Sequence, residues 1–319
     1  MSTTFLMISG LFLLGIGGEA LIRGGISIGR RLHMSPLVVG MIIVGFGTSM
    51  PELAVSLKAT LAGSPAIAVG NVIGSNIANI LLILAVAALL RPIPMPSRLM
   101  KPDGFVLLAA CLAVPLLGLQ GTIPRWQGGA MLGVLFLMIT AEYVRSRRQR
   151  AQEALHEEPV PLPAEIPHRF WVAVLLVLTG LAAVIYGAEL LVAGATAMAR
   201  ALGVSESFIG LSIVAVGTSL PELAGSVVAT WRGHSEVAYG NVVGSSIYNV
   251  LCIFGAAAAV GPITVPAAMI WFDSVVMIAA SVLMLVFVAT GRRLSRNEGL
   301  VMLACYVGYI ALRYKLGLA

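Results

Sequence analysis

The sequence predicts an all-α integral membrane protein of ten transmembrane helices, arranged as two inverted-topology five-helix repeats. Three observations carry that expectation. The 319-residue chain is 59% hydrophobic and only 11% charged, against about 45–50% apolar and about 25% charged for a soluble domain. Its apolar runs are long and continuous, as membrane helices require, and do not alternate as barrel strands do. The chain also repeats itself: GTSMPELAVS at 47–56 returns as GTSLPELAGS at 217–226, and GNVIGSNIANI at 70–80 returns as GNVVGSSIYNV at 240–250.

The expected spans run, to within a few residues, 4–22, 36–61, 66–90, 104–120, 127–144, 170–193, 206–230, 236–259, 269–290 and 298–314. The first has no basic segment ahead of its apolar run and no small-residue cleavage site, so it reads as a retained helix and not as a signal peptide. The second and seventh carry the Pro-Glu copies, and the third and eighth carry the Gly-Asn copies. Spans one to five make a first half, 1–144. Residues 145–169, RSRRQRAQEALHEEPVPLPAEIPHR, form a polar, proline-containing linker too short for an independent domain. Its glutamates, Glu153, Glu157, Glu158 and Glu165, read as a solvated charge run. Spans six to ten make the second half, 170–319. The halves align without a gap at an offset of 170 from about Gly17 to Ile80, with about half of positions 45–80 identical and Glu19 matched by Glu189. Five spans is an odd number, so the two halves must face opposite ways, as in many secondary transporters.

The net charge is +6. The basic residues lie between apolar spans, which points to membrane orientation and away from a nucleic-acid surface. Arg30, Arg31, Arg91, Arg98, Lys101, the Arg145–Arg150 cluster, Arg232, Arg292, Arg293 and Arg296 fall on one side, leaving little beyond Arg125 and Arg200 on the other. The positive-inside rule then puts both termini outside and the linker in the cytoplasm. The three cysteines, Cys111, Cys252 and Cys305, lie within apolar segments without a C-x-x-C, so neither a disulfide framework nor a zinc site is expected. The four histidines fall in or beside loops. No hydrolase or metalloprotease signature is present, so an enzyme is not expected, nor a cofactor.

The chemistry sits in the repeated motifs. A carboxylate at the bilayer centre costs at least about 2.5–3.5 kcal/mol on insertion scales. Glu52 and Glu222 both fall near mid-membrane, and pseudo-symmetry brings them together. A protonated glutamate bonded to a neighbouring helix is the alternative, which suits a single residue better than a duplicated pair. Pro51 and Pro221 have no N–H, so the carbonyls of Gly47 and Gly217 lose their helical partners. Freed carbonyls at that depth must line a cavity, bind an ion or be filled by a neighbouring hydroxyl. Thr48, Glu52 and Ser56 fall on one helical face, as do Thr218, Glu222 and Ser226. On the next span Asn71, Ser75 and Asn79 share a face, as do Asn241, Ser245 and Asn249, while Asn76 and Ser246 lie off it and read as peripheral. The glycines Gly70, Gly74, Gly240 and Gly244 read as helix-packing positions. The result is an all-oxygen cage with two carboxylates, which selects hard cations; its irregular, multi-helix construction suits Ca²⁺ better than Mg²⁺, and Na⁺ is of similar size to Ca²⁺. Glu19, with Arg23 at i+4, and Glu189 are open to either a structural or an ion-passage role.

The paired blocks GTSMPELAVS…GNVIGSNIANI and GTSLPELAGS…GNVVGSSIYNV resemble the two alpha repeats of the calcium/cation antiporter superfamily, and specifically its prokaryotic sodium/calcium exchangers. The resemblance implies exchange of Na⁺ for Ca²⁺ by alternating access in the inner membrane of a prokaryote, with ion sites on spans two, three, seven and eight. It implies Glu52 and Glu222 as central Ca²⁺ ligands shared with Na⁺, and backbone carbonyls offered by Thr48 and Thr218. Ser49, Ser219, Ser75 and Ser245 would flank the Na⁺ positions, and Asn79 and Asn249 would complete the centre. Some relatives, potassium-dependent ones among them, carry aspartate where this chain has Asn249; asparagine here speaks against a K⁺ requirement. Proton-coupled relatives differ around the second motif, so Na⁺ is the expected coupling ion and a H⁺-coupled Ca²⁺ or other cation antiporter is the alternative. Ca²⁺ and Na⁺ would be substrates, with membrane lipid the surrounding partner.

Overall fold

A computed structural model describes residues 3–94, 97–153, 169–203, 215–267, 269–290 and 293–316. The architecture is helical, as the composition requires. Helix α1 is Thr3–Arg31. Helices α2 (Pro36–Thr48) and α3 (Met50–Leu61) are two arms of one path, bent by 43°. Then come α4 (Pro65–Leu90), strand β1 (Ile93–Pro94), α5 (Ser97–Gly118), β2 (Thr122–Ile123) and α6 (Arg125–Glu153). The rest comprises α7 (Phe170–Ala201), the short α8 (Ala215–Gly217), α9 (Leu220–Trp231), α10 (Ser235–Val260), β3 (Ile263–Thr264), α11 (Met269–Thr290), β4 (Arg293–Leu294) and α12 (Arg296–Lys315).

Six of the described helices, α1, α4, α6, α7, α10 and α11, are long and apolar enough to cross a bilayer alone, and the bent α2–α3 pair makes a seventh. The other three expected spans fall short for separate reasons. The apolar part of α5 is only Pro102–Gly118. Helix α9 has 12 residues, and 206–214 of the expected seventh span lie outside the described residues. Helix α12 carries Arg296, Glu298, Arg313 and Lys315 at its ends. Helix α6 continues through Glu153 into the expected linker, whose residues 154–168 lie outside those described.

Helices α1 and α7 run well past the expected 4–22 and 170–193. They pack antiparallel along a rail of small residues that continues beyond the apolar core of each. A Cβ on Gly10 would fall 2.7 Å from Gly187 O, one on Gly17 2.8 Å from Val184 N, and one on Gly24 2.7 Å from Ala173 O. From the other side, Gly180 would meet Leu21 N at 2.5 Å and Gly187 would meet Gly10 O at 2.9 Å. The seven-residue spacing holds one face against the partner, and backbone contact this close needs glycine. Arg30 and Arg31, expected in a loop, therefore sit in the last turn of α1.

Burial separates centre from flank. The spanning windows of α4 and α10 are 78% and 83% buried, against 33% and 22% for α1 and α7, so α4 and α10 form the middle of the bundle. Ile73, Ile77, Ile80, Ile247, Val250 and Phe254 on these two helices anchor the main core. Backbone fit holds α2 to α10: a Cβ on Gly240 would lie 2.2 Å from Leu37 O, and one on Gly244 2.7 Å from Met41 Cα. The expected packing role holds at these two glycines, whereas Gly74 meets no described atom within 4 Å. Two short antiparallel ladders close the bundle, β1 with β4 (Ile93 opposite Leu294) and β2 with β3 (Ile123 opposite Ile263).

Candidate functional site

The site begins with a break. Ser49 leaves helical geometry (φ −83°, ψ 3°) and Ser219 does the same (φ −90°, ψ 7°), each two residues before the proline of its motif. Proline is well tolerated in a first helical turn because its missing N–H would have no partner there. The break thus restarts a helix on each side, and Glu52 and Glu222 fall in the first turns of α3 and α9. Free N–H groups and the positive end of the helix favour a carboxylate at that position. This corrects the expected single face: Thr48 ends α2, while Glu52 and Ser56 belong to α3.

Nine of the ten predicted site residues are buried: Thr48, Ser49, Glu52, Ser75, Asn79, Ser219, Glu222, Ser245 and Asn249. Thr218 is half-buried in the turn between α8 and α9. Each asparagine of the Gly-Asn motif staples its helix to the carboxylate-bearing one. Asn71 Nδ2 donates to Glu52 O (3.1 Å) and Ser56 Oγ (2.9 Å). Asn241 Nδ2 donates to Glu222 O (3.0 Å) and Ser226 Oγ (2.8 Å). The Thr48 hydroxyl turns back to Val44 O (3.1 Å), and Ser245 Oγ donates to Gly45 O (3.2 Å). Hydroxyls therefore fill carbonyls near the break in the first half.

Asn79 and Asn249 each open a short π-helical stretch, Asn79–Ile83 and Asn249–Phe254, an irregularity common at functional sites. Their amides are oriented from behind. Asn76 Nδ2 donates to Ser246 O (3.1 Å), and a carbonyl can only accept. Asn76 must then turn Oδ1 toward Asn249, which donates Nδ2 to it at 2.9 Å. Asn79 Nδ2 reaches Ser246 Oγ at 3.4 Å. Asn76 and Ser246 are fully buried and hold the two site asparagines, which corrects their reading as peripheral. Their signal was their shared place in the repeat, one residue past Ser75 and Ser245.

The orientation leaves acceptors without donors. Both carboxylate oxygens of Glu52, Oε2 of Glu222, Oδ1 of Asn79 and Oδ1 of Asn249 are buried and find no hydrogen-bond partner among the described residues; Ser219 Oγ is in the same state. Glu222 Oε1 accepts from Ser49 Oγ across the halves at 3.2 Å. Buried polar atoms are nearly always satisfied, and leaving one unmade costs about 1–3 kcal/mol. Five orphaned acceptor oxygens on four helices are the ligand chemistry that a hard cation takes.

Outside the cage, Glu19 pairs with Arg23 as the spacing anticipated, and also with Arg232, by Nε to Oε2 at 2.8 Å and Nη2 to Oε1 at 2.7 Å. Glu189 is exposed and makes no ion pair among the described residues. Sequence reasoning missed Asp103 and Asp273, both buried. They stand at the same offset of 170, so extending the repeat past Ile80 would have found them. Asp273 accepts from Tyr309 Oη at 2.8 Å with Arg313 at 3.6 Å. Of the three cysteines in apolar segments, Cys111 is buried, Cys252 intermediate and Cys305 exposed.

A family model described as sodium/calcium exchanger protein matches residues 2–144 and 172–315. The chain belongs to that family. It is 37% identical over 311 residues to the putative antiporter CaxA of Alkalimonas amylolytica, covering 96% of this chain and 97% of the relative. It is 30% identical to the sodium/calcium exchanger MaX1 of Methanosarcina acetivorans, covering 97% of each, and 30% identical to the inner membrane protein YrbG of Escherichia coli, covering 98% of this chain and 96% of the relative. Its fold matches that of the sodium-calcium exchanger NCX_Mj, solved after a soak with zero Na⁺ and Ca²⁺, with a TM-score of 0.80 and 29% identity over 97% of this chain and 98% of the other. The protein is thus a multi-pass membrane protein of an exchanger family.

Proposed function

We propose that the protein is a secondary antiporter exchanging Na⁺ for Ca²⁺ across a prokaryotic inner membrane by alternating access. The observation that carries this reading is the set of orphaned oxygens on Glu52, Glu222, Asn79 and Asn249. Two carboxylates neutralise one Ca²⁺, and the amide oxygens add neutral ligands in the irregular geometry that ion accepts. Ser49, Ser219, Ser75 and Ser245, with the Thr48 and Thr218 carbonyls, extend the same oxygen lining to Na⁺. The named relatives MaX1 and NCX_Mj are sodium/calcium exchangers, and the inner-membrane name of YrbG supports the location.

The architecture that goes with this reading is ten spans in two inverted halves, 1–144 and 170–319, joined by a cytoplasmic 145–169 segment, with both termini outside. Reciprocal contacts support it. Gly10 meets Gly187, the repeat equivalent of Gly17, while Gly17 meets Gly180, the equivalent of Gly10. Antiparallel helices exchanging equivalent positions are related by a two-fold axis across them, which for membrane helices lies in the bilayer plane. The ladders repeat the exchange, since β3 is the equivalent of β1 and pairs with β2.

The test is flux. In proteoliposomes, an imposed Na⁺ gradient should drive radioactive Ca²⁺ uptake, and Glu52→Gln should abolish it. Uptake that ignores Na⁺ and follows a pH gradient would replace the coupling ion by H⁺. Conductance at electrical rates without counter-transport would replace the exchanger by a channel.

A further inference from the structure

A cavity of about 310 Å³ opens between the C-terminal ends of α4 and α9, lined by Leu90, Arg91, Val227, Thr230 and Trp231. Arg91 lies twelve residues beyond Asn79, roughly 18 Å along the helix at 1.5 Å per residue, so the cavity is separate from the ion cage. It sits at the end of the bundle where Arg232 follows α9 and reaches Glu19. His234, in the same turn, is held below its ordinary pKa by burial and then by the charges of Arg30 and Arg232, which outweigh the opposing Glu19 carboxylate. The surroundings are electropositive.

Two polar groups at this cavity are unspent. The Arg91 guanidinium makes no ion pair or hydrogen bond among the described residues. It lies over the turn at Gly233, whose φ is +84°, with Nη1 3.0 Å from where a Cβ would stand. Thr230 is fully buried, and its Oγ1 has no partner among the described residues. Its repeat equivalent Thr60 spends the same hydroxyl on Ser56 O at 2.9 Å. The wall is apolar and opens outward, with Leu90 49% and Trp231 81% exposed. At the offset of 170, the aliphatic positions recur as Val260 and Leu57, while Arg91 becomes Gly261 and Trp231 becomes Leu61. The two halves share the wall and differ in the head-group chemistry.

We propose that this cavity binds one anionic phospholipid, its phosphate on Arg91, a glycerol or ester oxygen on the Thr230 hydroxyl, and an acyl chain along Leu90 and Val227 beneath the Trp231 indole. Basic pockets between membrane helices recognise anionic head groups, and Trp favours the interface. A free phosphate would leave the apolar wall in water. The occupant would tie α4 to α9, and it would do so on one side of the membrane only.

The test uses the purified full chain in mixed phosphatidylcholine and phosphatidylglycerol, with retained lipid counted by native mass spectrometry. The wild type should hold one phosphatidylglycerol in preference to phosphatidylcholine. Arg91→Gln should weaken that retention about fivefold, with Arg125→Gln, a basic residue elsewhere, leaving it unchanged. Thr230→Val, which preserves shape and removes an unpartnered buried hydroxyl, should weaken retention without lowering the thermal melting point, so the proposal stands or falls even where one variant folds poorly. Equal retention of both lipids by the wild type, or phosphatidylglycerol retention by Arg91→Gln and Thr230→Val that equals the wild type's, overturns the proposal. Displacement of the lipid by millimolar inorganic phosphate would assign the site to a free anion and overturn it as well. None of these readouts depends on ion exchange.

Discussion

The two halves of the molecule build the same scaffold and finish it differently. Asn71 and Asn241 reach equivalent partners at distances that agree within 0.1 Å, because each pins a restarted helix whose position the packing dictates. The carboxylates beside them differ. Glu222 has one oxygen engaged by Ser49, while among the described residues neither Glu52 oxygen has a partner and Ser219, the counterpart of Ser49, has none either. Repeat symmetry thus governs the backbone and the helix staples, and the side chains of the candidate cage depart from it. Under the proposed exchange, a cage that serves two ions in turn would gain from that inequality.

The largest expected effect comes from removing either charge. Glu52→Gln and Glu222→Gln should each lower Ca²⁺ exchange by at least about 100-fold, since uncompensating a buried charge costs about 3–5 kcal/mol. The hydroxyl changes then sharpen the comparison. Ser49→Ala removes a hydrogen bond to a charged oxygen, worth about 1.5–3 kcal/mol, and should shift the half-saturating Ca²⁺ concentration about tenfold. Ser219→Ala removes no bond to a described residue and should shift it less than about twofold. Equal effects from the two serines would show that the halves are equivalent in function.

The glycine rail offers the opposite case, in which the halves should behave alike. Gly17→Ala places a Cβ against Val184 N, and Gly180→Ala places one against Leu21 N. Both force the α1 and α7 backbones apart and should destabilise by about 1–3 kcal/mol. Gly15→Ala, two residues away with nothing within 4 Å, should be neutral or stabilising by up to about 1 kcal/mol. Thermal melting in detergent separates these outcomes, and a tolerated Gly17→Ala would break the reciprocal packing.

How much of this was legible beforehand follows the same division. The motif residues could be read from the sequence because proline and glutamate are anomalous in an apolar run, and the offset of 170 paired them. The length of α1 could not, because Glu19, Arg23 and Arg30 resemble the edge of a span until the glycine rail shows why the helix continues. Cross-half partners were hidden for a deeper reason. A repeat says which residues are equivalent, but it does not say which equivalents touch. The Asn76–Asn249 and Glu19–Arg232 contacts depend on how the halves dock, and no spacing within one half encodes that.

Asn76 supports the next prediction. Its carbonyl anchor decides that Asn249 presents Oδ1, so Asn76→Ala should weaken Ca²⁺ affinity by about 10-fold or more, in the range typical of groups that orient metal ligands. Ser246→Ala should do less, because the long 3.4 Å bond it gives Asn79 ends on a hydroxyl that can rotate. Ca²⁺ titration of both variants at matched melting temperature distinguishes orientation from general loss of packing.

The smallest effect concerns the flanking helices. Glu19 ties α1 to the turn after α9 through Arg232, whereas Glu189 faces Ala193 and has no such tie among the described residues. Partly exposed pairs are worth about 0.2–1 kcal/mol, which corresponds to a change of about 1.4- to fivefold in a local opening equilibrium. Glu19→Gln should therefore raise hydrogen exchange in the C-terminal half of α1 by that factor, and Glu189→Gln should leave α7 unchanged. A matching rise in α7 would mean that the two ends of the α1–α7 pair are held equally. In that case the contrast between the halves would be confined to the ion cage and the cavity beside Arg91.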